Sequence, residues 1–276
     1  MIVQHNMTAL NANRQLGITN TNLARSTEKL SSGYRVNRAA DDAAGLSISE
    51  KMRGQIRGLE QASTNAEDGQ SLIQTAEGAL SEIHSVLQRM RELTVQASND
   101  TNVSADRKAI AKEVRALTSE INRIATQTQF NTMGLLSGGF KNKKLQVGAN
   151  TNQTISITIS SMTAGKLGVS ATVIAKVISS STGKDITKLI TTVNTAITKV
   201  STQRSALGAL QNRLEHTIAN ADNMAENLQS SESKIRDVDM ADEMVSYSAS
   251  SILQQAGQSM LAQANQATQG VLSLLQ

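Results

Sequence analysis

Leu59-Glu-Gln-Ala62-Ser-Thr-Asn-Ala66-Glu-Asp-Gly69-Gln-Ser-Leu-Ile73-Gln-Thr-Ala76-Glu-Gly-Ala-Leu80-Ser-Glu-Ile83-His-Ser-Val-Leu87-Gln-Arg-Met90 is the stretch on which the fold turns. Stepping from Leu59 by three and four residues meets only small or apolar side chains, and the rule continues to Thr94 and Ala97, with Met52 one heptad earlier. A seven-residue repeat kept this long implies one helix supercoiled against partner helices. The same rule returns in Ile110, Val114, Leu117, Ile121 and Ile124, after the turn-like residues 98–104. It returns again in Ile186, Leu189, Val193, Ala196, Val200, Gln203, Leu207, Leu210, Leu214, Thr217, Ala221, Met224, Leu228, Ser231 and Ile235. At 1.5 Å rise per residue the longer runs make rods of about 65 to 75 Å. Small seam residues at Ala62, Ala66, Gly69 and Ala76 leave room for a neighbouring backbone to approach.

Between the second and third runs the period changes to two. Leu145 and Val147, then Ile155, Ile157 and Ile159, alternate with polar residues across Gly148-Ala-Asn-Thr-Asn152, which predicts a β-hairpin near 144–160. The Ser, Thr and Gly-rich stretch from Ser160 to Gly183 has no clear period and reads as a short surface connection, 161–185, back to the third helix. The expected fold class is therefore mainly α, a long antiparallel coiled-coil-like bundle carrying a small hairpin.

Composition agrees with long helices and excludes several functions. The 276 residues contain no proline, so nothing forces a break in a helix, and no cysteine, so there is no disulfide, thiolate ligand or thiol nucleophile. Lys and Arg number 27 against 23 Asp and Glu, a net charge of +4 that is too small and too evenly spread to make nucleic acid a partner, and two Tyr with two Phe give bases little to stack on. No apolar run reaches the length of a membrane span, and Met1 to Leu10 lacks the basic and apolar regions of a cleaved signal peptide.

The two ends are helix-patterned yet almost uncharged. Residues 1–24 carry one formal charge, Arg14, and residues 244–276 carry none. Ile2, Ala9, Leu16, Leu23 and Leu30 form one stripe, with Val3 and Leu10 beside it; Leu253, Met260, Leu261, Val271 and Leu274 mark the apolar side of the other end. A surface helix of a monomer carries charge on its outer face. A membrane-lying helix wants basic residues, and a disordered tail would not keep the stripe. The remaining reading is helices surrounded by copies of themselves, where amides and hydroxyls pair but lone charges are costly.

Catalytic chemistry finds little support. Asp41 and Asp42 precede a helical run and read as N-terminal caps. His84 and His216 fall beside seam positions as solvated flank residues, and neither they nor His5 has a second ligand three or four residues away. Gly138-Gly139 lacks the Lys-Ser/Thr pair of a phosphate loop and reads as a turn. No cofactor or metal is expected. Gln88, Arg89, Leu93 and Gln96 lie off the seam that Leu87 and Met90 occupy, and read as a solvated face.

Several motifs carry a family resemblance across nearly the whole chain. Asn11-Ala-Asn13, Leu30-Ser-Ser-Gly-Tyr-Arg-Val-Asn37, Ala40-Asp-Asp-Ala-Ala-Gly-Leu46 and Gln127-Thr-Gln-Phe-Asn131 in the first half resemble bacterial flagellin. So do Gln203-Arg-Ser-Ala-Leu-Gly-Ala-Leu-Gln-Asn-Arg-Leu214, Ile235-Arg-Asp-Val-Asp-Met-Ala241 and Met260-Leu-Ala-Gln-Ala-Asn-Gln266 in the second. The resemblance implies a non-enzymatic filament subunit located in the extracellular flagellum and exported unfolded through the flagellar type III apparatus. It implies an inner domain from 1–43 and 236–276 and a rod domain from 44–235. The partners implied are the chain itself, an export chaperone and the export gate, the filament cap and the hook-junction proteins. Residues 160–183 leave no room for a large variable outer insertion. By the same resemblance Gln88, Arg89, Leu93 and Gln96, with Glu113 on the next helix, match the surface recognised by the flagellin-sensing Toll-like receptor. A hook-filament junction protein and a monomeric secreted adhesin or receptor ligand are the alternatives.

Overall fold

A computed structural model describes residues 6–180 and 183–273, without the side chains of 172–173, 176, 179–180, 183–185 and 268–273. Ile2, Val3, His5 and Leu274 lie outside the described residues, as does the side chain of Val271. The elements in chain order are α1 (Met7–Ser32), α2 (Ala43–Ser98), α3 (Ser104–Gln127), β1 (Gln129–Phe130), β2 (Met133–Gly134), β3 (Lys143–Gln146), β4 (Thr154–Ile157), α4 (Ala164–Leu167), α5 (Ala171–Ser180), α6 (Gly183–Arg236) and α7 (Met240–Ser273). The chain divides into a terminal unit, residues 1–56 with 226–276, and a rod unit, residues 57–225. Both divisions fall inside long helices, α2 and α6.

The rod is built on the heptad seam. Ile73, Ala76, Leu80, Ile83, Leu87 and Met90 are fully buried, facing Val114 and Ile121 of α3 and Ile186, Val193, Val200 and Leu207 of α6. Two side-chain links fix α2 and α6 as antiparallel: Ser63 donates to Asp222 at 3.0 Å, and Arg204 meets Glu77 at 3.4 Å. Thr94, a polar seam residue, is buried because its hydroxyl donates to the Met90 carbonyl at 2.7 Å. The seam of α6 holds through Ala221 and then opens, Met224 being 47% exposed.

α2 carries a second stripe. Leu72 and Leu93 are buried, and Ala79 and Val86, at the intervening heptad steps, pack partly buried against the core. A helix with neighbours on two sides needs two such stripes. Leu93 is therefore a core residue at 2% exposure, not part of a solvated face, and that expectation is corrected.

The hairpin forms as its period suggests. β3 pairs antiparallel with β4, Leu145 opposite Ile155, and Ile155, Ile157 and Ile159 point inward while Thr154, Ser156 and Thr158 face out. It lies over the small residues of α2. An added Cβ at Gly69 would collide with Leu145, one at Gly58 would come 2.8 Å from the Ala149 Cβ, and Asn65 donates to the Gln146 carbonyl at 3.2 Å. A second, smaller hairpin, β1 with β2, turns through Asn131 and Thr132, both in the left-handed region at φ 46° and 63°. A β-branched Thr there is strained, since two-residue turns of this hand favour Gly.

Residues 160–180 depart from the surface connection expected of them. Met162, Ala164, Leu167, Val169, Ile174, Ala175 and Ile178 are buried, and α5 packs along α3. The Ala164 amide donates to the Asn122 side chain at 3.0 Å, and Lys199 donates to the Lys166 carbonyl at 3.2 Å. The segment is a lid of core rather than a tether.

In the terminal unit α1 and α7 run antiparallel. Asn6 donates to the Ala264 carbonyl at 2.9 Å, Gln254 to Asn20 at 2.8 Å, and Lys29 pairs with Glu243 at 3.5 Å. Each helix is capped: the Asn6 carboxamide accepts from the Ala9 amide, Gly33 at φ 76° closes α1, and the Asp239 carboxylate accepts from the Ala241 amide.

Candidate functional site

The terminal unit exposes more large apolar side chains than the rod does. Met7, Leu10, Ile18, Met240, Met244, Val245, Ile252, Leu253 and Met260 are all exposed, whereas Leu16, Leu23 and Leu261 are half-buried between α1 and α7. Two helices offer each other one face only, so Leu10, Leu253 and Met260 are left without cover. Gly257 of α7 lies against Leu16, letting the two helices approach closely.

Where the 33–43 connection meets the end of α6, polar groups are well tied. The Arg236 guanidinium donates to Glu50 at 3.0 Å and sits over the Tyr34 ring at 4.6 Å, and Arg35 donates to the Ile235 carbonyl. Burial works against the Glu50 charge, but Arg53 and Arg236 outweigh it and hold the carboxyl below the ordinary glutamate range. Asp41 accepts from the Arg38 and Asn37 amides, which lower its pKa, and Asp42 caps α2 by accepting from the Gly45 amide at 2.8 Å. Both aspartates thus accept from backbone amides, as the capping reading expects. Tyr34, Glu226, Glu232 and Asp237 line a cleft of about 480 Å³ in the same unit.

Residues 3–141 match the family model described as the bacterial flagellin N-terminal helical region, and residues 190–275 match the bacterial flagellin C-terminal helical region. The chain belongs to the bacterial flagellin family. It is 53% identical to the flagellin of Halalkalibacterium halodurans and 49% identical to that of Bacillus subtilis, each alignment covering all of both chains. It is 50% identical to the flagellar filament 33 kDa core protein of Treponema phagedenis, again over all of both. A structure described as a flagellar hook-associated protein from Vibrio parahaemolyticus shares the fold at TM-score 0.62, covering 71% of this chain and all of that one at 12% identity. That likeness speaks to fold alone. Full-length identity near one half lies with flagellins, and the hook-junction and adhesin alternatives receive no support.

On this flagellin, the five residues matched to the receptor surface separate into two groups. Arg89, Gln96 and Glu113 are exposed and Gln88 is half-buried, while Leu93 lies in the core. Arg89 donates through Nε and Nη2 to Glu113 at 3.1 and 2.9 Å and through Nη1 to Glu92 at 3.0 Å, bridging α2 and α3. Glu92 and then Glu113 raise the guanidinium above its usual pKa. His216 is solvated, but His84 is half-buried: its Nδ1 has no hydrogen-bond partner among the described residues, and its Nε2 lies 3.4 Å from the Gln88 amide nitrogen. Gly138 is a turn residue at φ 101°. Among the described residues no cluster of three or more His, Asp and Glu is placed to hold a metal, and no helix is long and apolar enough to cross a membrane.

Proposed function

We propose that this flagellin is the structural subunit of an extracellular flagellar filament and that it polymerises through the exposed faces of α1 and α7. The single observation that carries the reading is the set Leu10, Ile252, Leu253 and Met260, uncovered on the two stretches, 1–24 and 244–276, whose only formal charge is Arg14. Copies of the same helices would cover these residues without stranding an ion. Ile2, Val3, Val271 and Leu274 belong to the same proposed contact set by sequence. The subunit has a structural role with no catalytic step, and the packed rod supplies stiffness.

The remaining partners follow from the same reading. An export chaperone would cover the α7 face before assembly, the export gate would pass the chain unfolded, and the cap and hook-junction proteins would meet the filament ends. Gln88, Arg89, Gln96 and Glu113 form the accessible part of a surface for the flagellin-sensing Toll-like receptor, with Leu93 supporting it from beneath. Electron microscopy of purified protein added to filament seeds tests the central claim. Long homopolymers are expected; a chain that stays monomeric with seeds present would overturn it.

A further inference from the structure

The rod carries an apolar groove of about 280 Å³ that the terminal helices do not explain. Leu72, Phe130, Met133, Phe140 and Leu145 line it, and Met133, presented by the strained turn at Asn131 and Thr132, is 39% exposed. Its rim holds Lys143 and Lys144, both exposed and neither in an ion pair among the described residues, together with one carboxylate, Asp68. Lys141 adds a third exposed cation nearby in sequence.

The terminal unit carries the complement. Asp237-Val-Asp-Met-Ala-Asp-Glu-Met244 exposes Met240, flanked by Asp237, Asp239 and Asp242, and Met244 just beyond them. These three aspartates form no ion pair among the described residues, and Glu243 alone is neutralised, by Lys29. One surface is apolar with unpaired cations, the other apolar with unpaired anions. Methionine suits an irregular aromatic-lined groove because its thioether is flexible and favours ring contacts.

We propose that the Phe130–Met133–Phe140 groove of one subunit receives Met240 of a second copy, with Asp237 and Asp242 facing Lys143 and Lys144. The proposal rests on the filament reading and adds a contact outside the α1 and α7 faces. In a filament the contact is heterologous: of two copies in contact, one keeps a free acidic segment and the other a free groove, so the same contact can be repeated at both ends of a growing polymer.

Charge exchange tests it. Lys143→Glu with Lys144→Glu, and separately Asp237→Lys with Asp242→Lys, should each slow seeded elongation by about tenfold or more, while mixing both sets in one chain should restore most of the rate. A thermal melt shows that the rod of each variant remains folded. Parent-like elongation by either single set overturns the proposal, as does failure of the combined chain to recover. If dodecanoate binds the groove in calorimetry while the reversals leave elongation unchanged, the occupant is an anionic amphiphile and the proposal falls. Because the chain has no cysteine, Lys144→Cys and Asp242→Cys proteins can be mixed under oxidation to trap the pair. A parent chain that never elongates would bring down the filament reading, and the disulfide would still report on the pairing, its absence refuting it.

Discussion

The rod and the terminal unit are made of the same kind of helix and differ in what covers it. In the rod, Leu80, Ile83 and Leu87 have no accessible surface, and a lid of short helices seals the far side. In the terminal unit, Leu253 and Met260 keep the same helical spacing but remain 60% exposed. The rod reaches burial inside one chain; the ends do not. The comparison teaches that heptad spacing announces a partner without saying whether the partner is the same molecule.

The sharpest way to break this comparison is to remove the end. A chain stopped at Glu243 is expected to keep the rod's melting transition and to lose seeded elongation altogether; normal elongation would return the terminal unit to a passive role. The converse experiment places a charge in the rod. Ile83→Asp buries an unpaired carboxylate at a site with no accessible surface and should cost several kcal/mol, on the order of 4. An unchanged melting temperature would mean that the seam is not a core.

Leu93 sharpens the boundary between core and surface. Its truncation to Ala should destabilise the rod by about 2 to 5 kcal/mol, whereas Arg89→Ala, which removes only solvent-exposed ion pairs, should leave the melting transition close to the parent's. Any loss of receptor signalling with the Leu93 variant must be read against its melt, and only the Arg89 variant reports on the surface itself.

The smallest expected effect concerns acid. Asp41 has a depressed folded-state pKa because it accepts from the Arg38 and Asn37 amides. Its stabilising contribution is present above the ordinary aspartate range, and it is lost as pH falls through the lowered folded value. Asp41→Asn should therefore flatten the acid limb of stability for the terminal unit while leaving that of the rod unchanged, as followed by local hydrogen exchange. An identical acid limb in both proteins would remove Asp41 from the account.

Much of this contrast is visible in the residues. The seam from Leu59 to Ala97 and its counterparts in α3 and α6 specify the bundle, and the alternation at Ile155, Ile157 and Ile159 specifies the hairpin, because a single period persists over many residues. α5 is hidden for the opposite reason. It is ten residues long and rich in β-branched side chains between Ser and Thr, and so short an apolar run does not distinguish helix from strand or buried from exposed. Leu93 escaped because one stripe had already explained α2; the second stripe of Leu72, Ala79, Val86 and Leu93 is in the sequence, but only a second neighbour gives it meaning. The short β1–β2 hairpin has neither a turn glycine nor length to announce it, since Asn131 and Thr132 occupy positions where a glycine would be the usual signal. At the candidate site the uncharged stripes were legible as a demand for cover, while the acidic segment and the lysine-rimmed groove become complementary only once burial shows which charges are unpaired.

The bond from Asn6 to Ala264 spans 258 residues of chain. Once the rod has folded and joined Ser63 to Asp222, the loop that must close shrinks to roughly 100 residues, which lowers the closure cost by only about 1 kcal/mol. Chain topology is therefore a minor obstacle to bringing the ends together, and the uncovered leucines and methionines are the larger one. On the proposed reading, the last step of folding has a reaction order: its rate follows the number of growing ends and the concentration of arriving subunits, as in crystal growth, while the rod finishes at a rate that no dilution changes.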